Sequence, residues 1–175
     1  MSIKKVVVIG PESTGKSTLS RQLADTFETL WVPENARDYL LQLDRPYAED
    51  DLVIIAKGQV ASEDELAVKA NKLLICDTDL NVIKVWSEHK YHRCNKYIYD
   101  QIKNRKYDLY LLTGIDMPWE SDPLREHPDA VMRQHFYNTY HDIVKLSAIP
   151  WVAINGDRNQ RLAAAIDAII AMKTD

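Results

Sequence analysis

The stretch Gly10-Pro11-Glu12-Ser13-Thr14-Gly15-Lys16-Ser17 constrains this chain more than any other, because it completes the pattern G-x-x-x-x-G-K-[ST] at every position. Its flanks agree with it. Val6-Val7-Val8-Ile9 is an apolar β-branched run suited to a buried parallel strand, and Leu19, Leu23 and Phe27 follow at helical spacing. Strand, tight loop and helix in that order set the backbone N–H groups of Ser13 to Ser17 at a helix N-terminus, where the dipole favours an anion. The expected ligand is ATP. Ser13, Thr14 and Gly15 would cradle its phosphates, Lys16 would reach the β- and γ-oxygens, Ser17 would ligate Mg²⁺ and Thr18 would reach the α-phosphate.

The rest of the chain alternates strands and helices. A second strand is expected over 29–32, followed by Glu34-Asn35-Ala36-Arg37-Asp38-Tyr39, a polar loop over 44–50 and a long helix whose apolar stripe runs from Leu52 to Ala70. Gln59 and Glu63 interrupt that stripe, so they are expected on its exposed rim or facing a cleft. A third strand over 73–76 runs into Asp77-Thr78-Asp79, the arrangement in which a strand-end carboxylate holds Mg²⁺. Helices over 82–88 and 91–102 and a fourth strand over 107–112 come next. A polar, arginine-bearing insertion around 116–135 is expected to act as a lid, leading into a helix over 130–146 that carries Arg133. A fifth strand over 150–154 precedes a final helix capped by Asp157 and striped by Leu162, Ile166, Ile169 and Ile170. The reading is one α/β domain over 1–175, a three-layer α/β/α sandwich on a five-stranded parallel sheet. Its candidate site residues all fall after strand ends.

Composition narrows the function. The 175 residues carry a formal net charge of −4 with scattered Lys and Arg, which argues against a sequence-independent nucleic-acid binder. The basic run from Lys84 to Lys106 reads as a solvated helical face. No apolar run is long enough to span a bilayer, and the expected setting is cytoplasmic, with no membrane partner. Asn71-Lys72 and Asn95-Lys96 lack the Asp of a guanine-reading N-K-x-D motif. A kinase for a small hydroxyl acceptor needs an orienting carboxylate, cations around the phosphoryl group and an aromatic surface if the acceptor carries a ring. Glu34 and Asp79 are candidates for the first, Lys16, Arg37 and Arg125 for the second, and Trp119 or Trp86 for the third. Each also has a plainer role open to it: Glu34 as a carboxylate favoured by a helix dipole, Arg37 as a structural ion pair, the tryptophans as packing.

Several segments together resemble a known family. The phosphate loop through Thr18-Leu19, Val32-Pro33-Glu34-Asn35-Ala36-Arg37-Asp38-Tyr39, Gly58-Gln59, Cys76-Asp77-Thr78-Asp79, and Pro118-Trp119 leading to Leu124-Arg125 are similar to the ribosylnicotinamide kinase domain of NadR-type NAD-salvage proteins. The resemblance implies the phosphate-loop nucleoside triphosphate hydrolase fold of the nucleotide-kinase type. It also implies transfer of the ATP γ-phosphate to the 5′-hydroxyl of nicotinamide riboside. It puts Glu34, Arg37 and Asp77 on the acceptor and metal side and Arg125 on the lid. The histidines at 89, 92, 127, 135 and 141 form no H-x-G-H signature, so adenylyl transfer, the activity of longer family members, is not expected. Another nucleoside or small alcohol as acceptor, or a regulatory ATPase without one, is the alternative.

Overall fold

Strand β1 (Lys4–Ile9) divides its side chains between two cores, and that division organises the fold. Val6 and Val8 pack on one face with Leu19, Leu23 and Ala24 of helix α1 (Lys16–Thr26) and with Ala165 and Ile169 of the last helix. Val7 and Ile9 pack on the other with Val85, Phe136, Tyr140 and Val144. A strand buried on both sides must be apolar throughout, which is why the run shows no alternation of polarity. The computed structural model describes residues 3–174, so Met1, Ser2 and Asp175 of the expected domain lie outside the described residues.

The sheet contains β2 (Leu30–Val32), β3 (Leu73–Asp77), β1, β4 (Leu109–Thr113) and β5 (Trp151–Ile154) in that spatial order, all parallel. The chain runs from β1 to the β2 edge, returns to β3, then crosses to β4. The topology therefore changes direction at β1, and the crevice beyond the carboxyl ends of β1, β3 and β4 is where such sheets bind ligands. Helices α1 and α7 (Arg158–Thr174) cover one face, and α3 (Glu49–Lys69), α4 (Leu80–Tyr91) and α6 (Ala130–Leu146) cover the other. Helices α2 (Asn35–Gln42) and α5 (Lys96–Asn104) close a smaller core with α3 and α4 around Leu52, Ile55, Ile83 and Ile98. No helix among the described residues is long and apolar enough to cross a membrane.

Capping moves several boundaries from those expected. Asp79 accepts from the N–H of Asn81 and starts α4 two residues early, and Asn95 accepts from the N–H of Tyr97 and delays α5. The long helix carries a larger correction. Gln59 and Glu63 are neither rim residues nor cleft residues; both are buried, at 3% and 2% exposure. Glu63 takes bonds from Lys5, Arg105 and Tyr107, so Arg105 also leaves the solvated face expected of its basic neighbours and is nearly enclosed. Gln59 accepts from the backbone N–H of Asn35 at 2.8 Å, and the adjacent Gly58 lets α2 approach: a Cβ there would lie 2.2 Å from Asn35 Nδ2. The Gly-Gln pair thus fixes the start of α2 against α3 and, with it, the positions of Glu34 and Arg37.

Candidate active site

The phosphate loop leaves β1 through a tight approach to β4. Gly10 has φ +152°, and a Cβ on it would lie 2.3 Å from Thr113 Oγ1, so only glycine fits there. Thr14 turns inward, donating to Pro11 O at 2.8 Å and pairing with Thr113 Oγ1 at 2.7 Å, which ties the loop to the end of β4. Gly15, in the left-handed region at φ 76°, caps α1. Lys16 folds back across the loop and donates to Pro11 O at 2.7 Å, a partner it can exchange for phosphate oxygens.

Beneath the loop lies a residue that the sequence reading missed. Arg161, 3% exposed, donates to Thr14 O, Gly114 O and Gly156 O and pairs with Asp116, whose other oxygen accepts from Gly156 N. One guanidinium therefore ties the phosphate loop to the ends of β4 and β5. The signal was present: Arg161, Ala165 and Ile169 are spaced four apart, and all three are buried, so the inward stripe of α7 begins with an arginine.

Two carboxylates converge on the loop from β2 and β3. Asp77 is 2% exposed and sits beside Ser17, whose hydroxyl bonds to it; its Oδ1 has no hydrogen-bond partner among the described residues. Burial raises its pKa, opposed by the Ser17 bond and the charges of Lys16 and Arg21. A buried, unpartnered carboxylate oxygen next to a hydroxyl fits a hard divalent cation such as Mg²⁺. That ion takes few protein ligands and completes its shell with water and phosphate. Glu34 stands at the start of α2, lining the same cleft as Lys16. Burial raises its pKa most; Lys16 and Arg37 pull it down, while Asp77 and Glu12 push it further up. A carboxylate held towards its protonated range beside a phosphate-binding lysine is suited to exchange a proton with a hydroxyl.

The cleft has a volume of about 460 Å³ and an aromatic far wall. Trp86 and Tyr47 meet edge to face, with centroids 4.8 Å apart, and Trp86 Nε1 donates to Tyr47 Oη at 2.7 Å. Burial pushes the Tyr47 phenol up to about 12, so it stays protonated and donates to Glu126. The loop carrying Tyr47 is anchored because Asp51 caps α3 through the N–H of Ala48 and receives two bonds from Arg45. Residues 115–129, between β4 and α6, contain no helix or strand and lie across the phosphate loop. Arg125 Nη1 reaches Ser13 Oγ at 3.2 Å, and Arg37 pairs with Asp122 at 2.6 Å, so both expected arginines meet at this segment.

Two expected acceptor contacts lie elsewhere. Asp79 is buried under the site, accepting from Tyr110 Oη at 2.7 Å and from Asn81, because its position as the cap of α4 turns it towards the sheet. Trp119 is not part of the cleft lining; Arg125 and Arg133 lie over its ring at 6.0 and 5.9 Å. Trp86, by contrast, lines the cleft.

The match that decides the family covers residues 5–161. The chain belongs to the AAA domain family. Among curated relatives of this AAA domain, the trifunctional NAD biosynthesis/regulator protein NadR of Salmonella typhimurium is 28% identical over 97% of this chain, and that of Escherichia coli is 27% identical over the same share. The chain spans 43% of the length of either relative. Among solved structures, a NadR protein in complex with NR superposes with a TM-score of 0.76 at 22% identity, covering 99% of this chain and 52% of that one. Thymidylate kinase from Ehrlichia chaffeensis gives 0.65 at 13% identity, over 97% of this chain and 100% of that one. The fold is that of the phosphate-loop nucleotide kinases, and the chain resembles part of NadR through almost its whole length.

Proposed function

We propose that this chain is an ATP- and Mg²⁺-dependent kinase, cytoplasmic and acting as one domain over 1–175, that phosphorylates the 5′-hydroxyl of nicotinamide riboside to give nicotinamide mononucleotide. The observation that carries the reading is Glu34, a carboxylate with a raised pKa in the same cleft as the phosphate loop and Lys16, with an aromatic wall on the acceptor side. A hydrolase acting on water alone has no use for a ring-sized wall of Trp86 and Tyr47. The relation to NadR, seen in a structure with NR, favours nicotinamide riboside over other nucleosides.

In this mechanism the loop N–H groups and Lys16 hold the β- and γ-phosphates. Ser17 and Asp77 would hold Mg²⁺, which neutralises charge on the phosphate oxygens when bound. Glu34 orients the acceptor hydroxyl and takes its proton as the oxygen bonds to the γ-phosphorus. The β–γ bridging P–O bond breaks and its electrons leave with ADP. Arg125 sits where lid closure adds positive charge near the transferring group and excludes water.

The test is ADP release with Mg-ATP and nicotinamide riboside, uridine, deoxycytidine, thymidine or no acceptor, with chromatographic identification of the product. Nicotinamide mononucleotide formed well above the rate without acceptor supports the reading. ADP release indifferent to every acceptor overturns it in favour of a nucleotide-binding ATPase.

A further inference from the structure

Glu12 is a carboxylate inside a loop built to bind anions, where its own charge repels the phosphates the loop exists to hold. Its side chain is engaged by the insertion instead. Oε2 accepts from the backbone N–H of Glu126 at 3.1 Å and from that of His127 at 3.3 Å. Beside it, Ser13 Oγ accepts from Glu120 N at 2.9 Å and from Arg125. Residue 126 faces both ways: its N–H bonds to the phosphate loop, and its carboxylate receives the Tyr47 hydroxyl at 3.3 Å, itself bonded to Trp86 on the aromatic wall. The second anchor on that side is Arg37 to Asp122.

We infer that Glu12 is the positioning residue that latches the lid to the phosphate loop, and that the chain Glu12–Glu126–Tyr47–Trp86 couples the acceptor wall to closure over the γ-phosphate. The coupling half of this inference rests on the kinase reading; the latch half does not. An acceptor against Trp86 and Tyr47 stabilises the Glu126 carboxylate in place, and Glu126 then presents its N–H to Glu12. With the latch made, water is kept from the γ-phosphorus while the acceptor is in reach. Without it, the nucleotide binds but the lid is released, and hydrolysis competes with transfer.

Trypsin separates the two halves, because the peptide bond between Arg125 and Glu126 contains the N–H that Glu12 accepts. Wild type, Glu12→Ala and Glu12→Gln are incubated with trypsin and a non-hydrolysable ATP analogue, and cleavage after Arg125 is followed by mass spectrometry. Glu12→Ala is expected to be cut there about fivefold faster or more, with cleavage at lysines elsewhere unchanged, because opening of a segment scales with the bonds that hold it. Glu12→Gln keeps an oxygen for both N–H groups and is expected to restore protection. Equal cleavage in Ala and wild type overturns the latch, whether or not the protein is a kinase. In the second arm, the ratio of ADP released to acceptor phosphorylated is expected to stay near one in wild type and in Glu12→Gln, and to rise about threefold or more in Glu12→Ala. An unchanged ratio overturns the coupling. A wild type that phosphorylates no acceptor overturns both the coupling and the kinase reading, while the proteolysis still decides the latch.

Discussion

Asp77→Asn is expected to make the nucleotide-free protein more stable and the enzyme inactive, a pairing that a purely structural carboxylate does not produce. Asp77 is 2% exposed with one oxygen unpartnered, and leaving a buried acceptor unsatisfied costs about 1–3 kcal/mol. Its folded pKa is raised above the ordinary 3.8, so the folded state holds this proton more tightly than the unfolded one. The stability linked to that proton is full below 3.8 and is lost as pH rises through the folded value, which leaves the ionised group a burden at neutral pH. Asparagine copies the neutral form and keeps an oxygen for Ser17. Allowing for its own unpaired amide, the gain is about 1–2 kcal/mol, which for a chain of this size is about 3–6 °C in melting temperature. Thermal denaturation in EDTA at pH 7.5 measures it. Repeated with saturating Mg-ATP, wild type gains stability by mass action, about 2.7 kcal/mol at a hundredfold excess over Kd, and the variant gains much less. An Asp77→Asn protein that melts at or below wild type in EDTA refutes the strain argument. One that keeps Mg²⁺-dependent turnover refutes the metal assignment.

Glu34→Gln is expected to lower acceptor phosphorylation by about 10²–10⁴ with ATP binding near normal, read by turnover and by nucleotide titration. The raised pKa of Glu34 gives a pH dependence of definite sign: protonated Glu34 cannot take a proton, so kcat/KM should rise with pH on a limb lying above the 4.5 of an ordinary glutamate, and Glu34→Gln should flatten it. Gly58→Ala puts a Cβ 2.2 Å from Asn35 Nδ2, and the resulting shift of α2 should cost about 1–3 kcal/mol in urea denaturation and raise the acceptor KM more than the ATP KM. Arg161→Lys cannot reproduce bonds to three carbonyls and Asp116, so about 2–3 kcal/mol of stability is expected to be lost, with a raised KM for ATP. An unchanged ATP KM in Arg161→Lys would show that the loop keeps its shape without the guanidinium.

The sheet and the phosphate loop at one end of the cleft were legible because their causes are local. A β-branched run, a glycine-rich turn and a helical stripe follow one another along the chain, and Asp77 ends a strand whose other four residues are apolar. The aromatic wall was less legible because its residues come from separate elements and meet only on folding. Trp86 on α4 finds Tyr47 across the start of α3, and no spacing within either segment announces the pair. Asp79 misled because a carboxylate two residues after a metal-site candidate looks catalytic, while the same position is where a helix needs its cap, and the cap won. Gln59 and Glu63 misled for a related reason: polar residues in an apolar stripe suggest exposure unless their buried partners are known, and those partners, Asn35, Lys5 and Arg105, are distant in sequence. The segment between β4 and α6 lies between these cases. Its arginine and its place after β4 could be read, but its attachment to Glu12 could not, since that bond uses backbone N–H groups that every residue possesses. A side chain that acts through another segment's backbone leaves no partner residue to find. The remaining signal is the cost at the residue itself, and a glutamate set among phosphate-binding amides is such a cost.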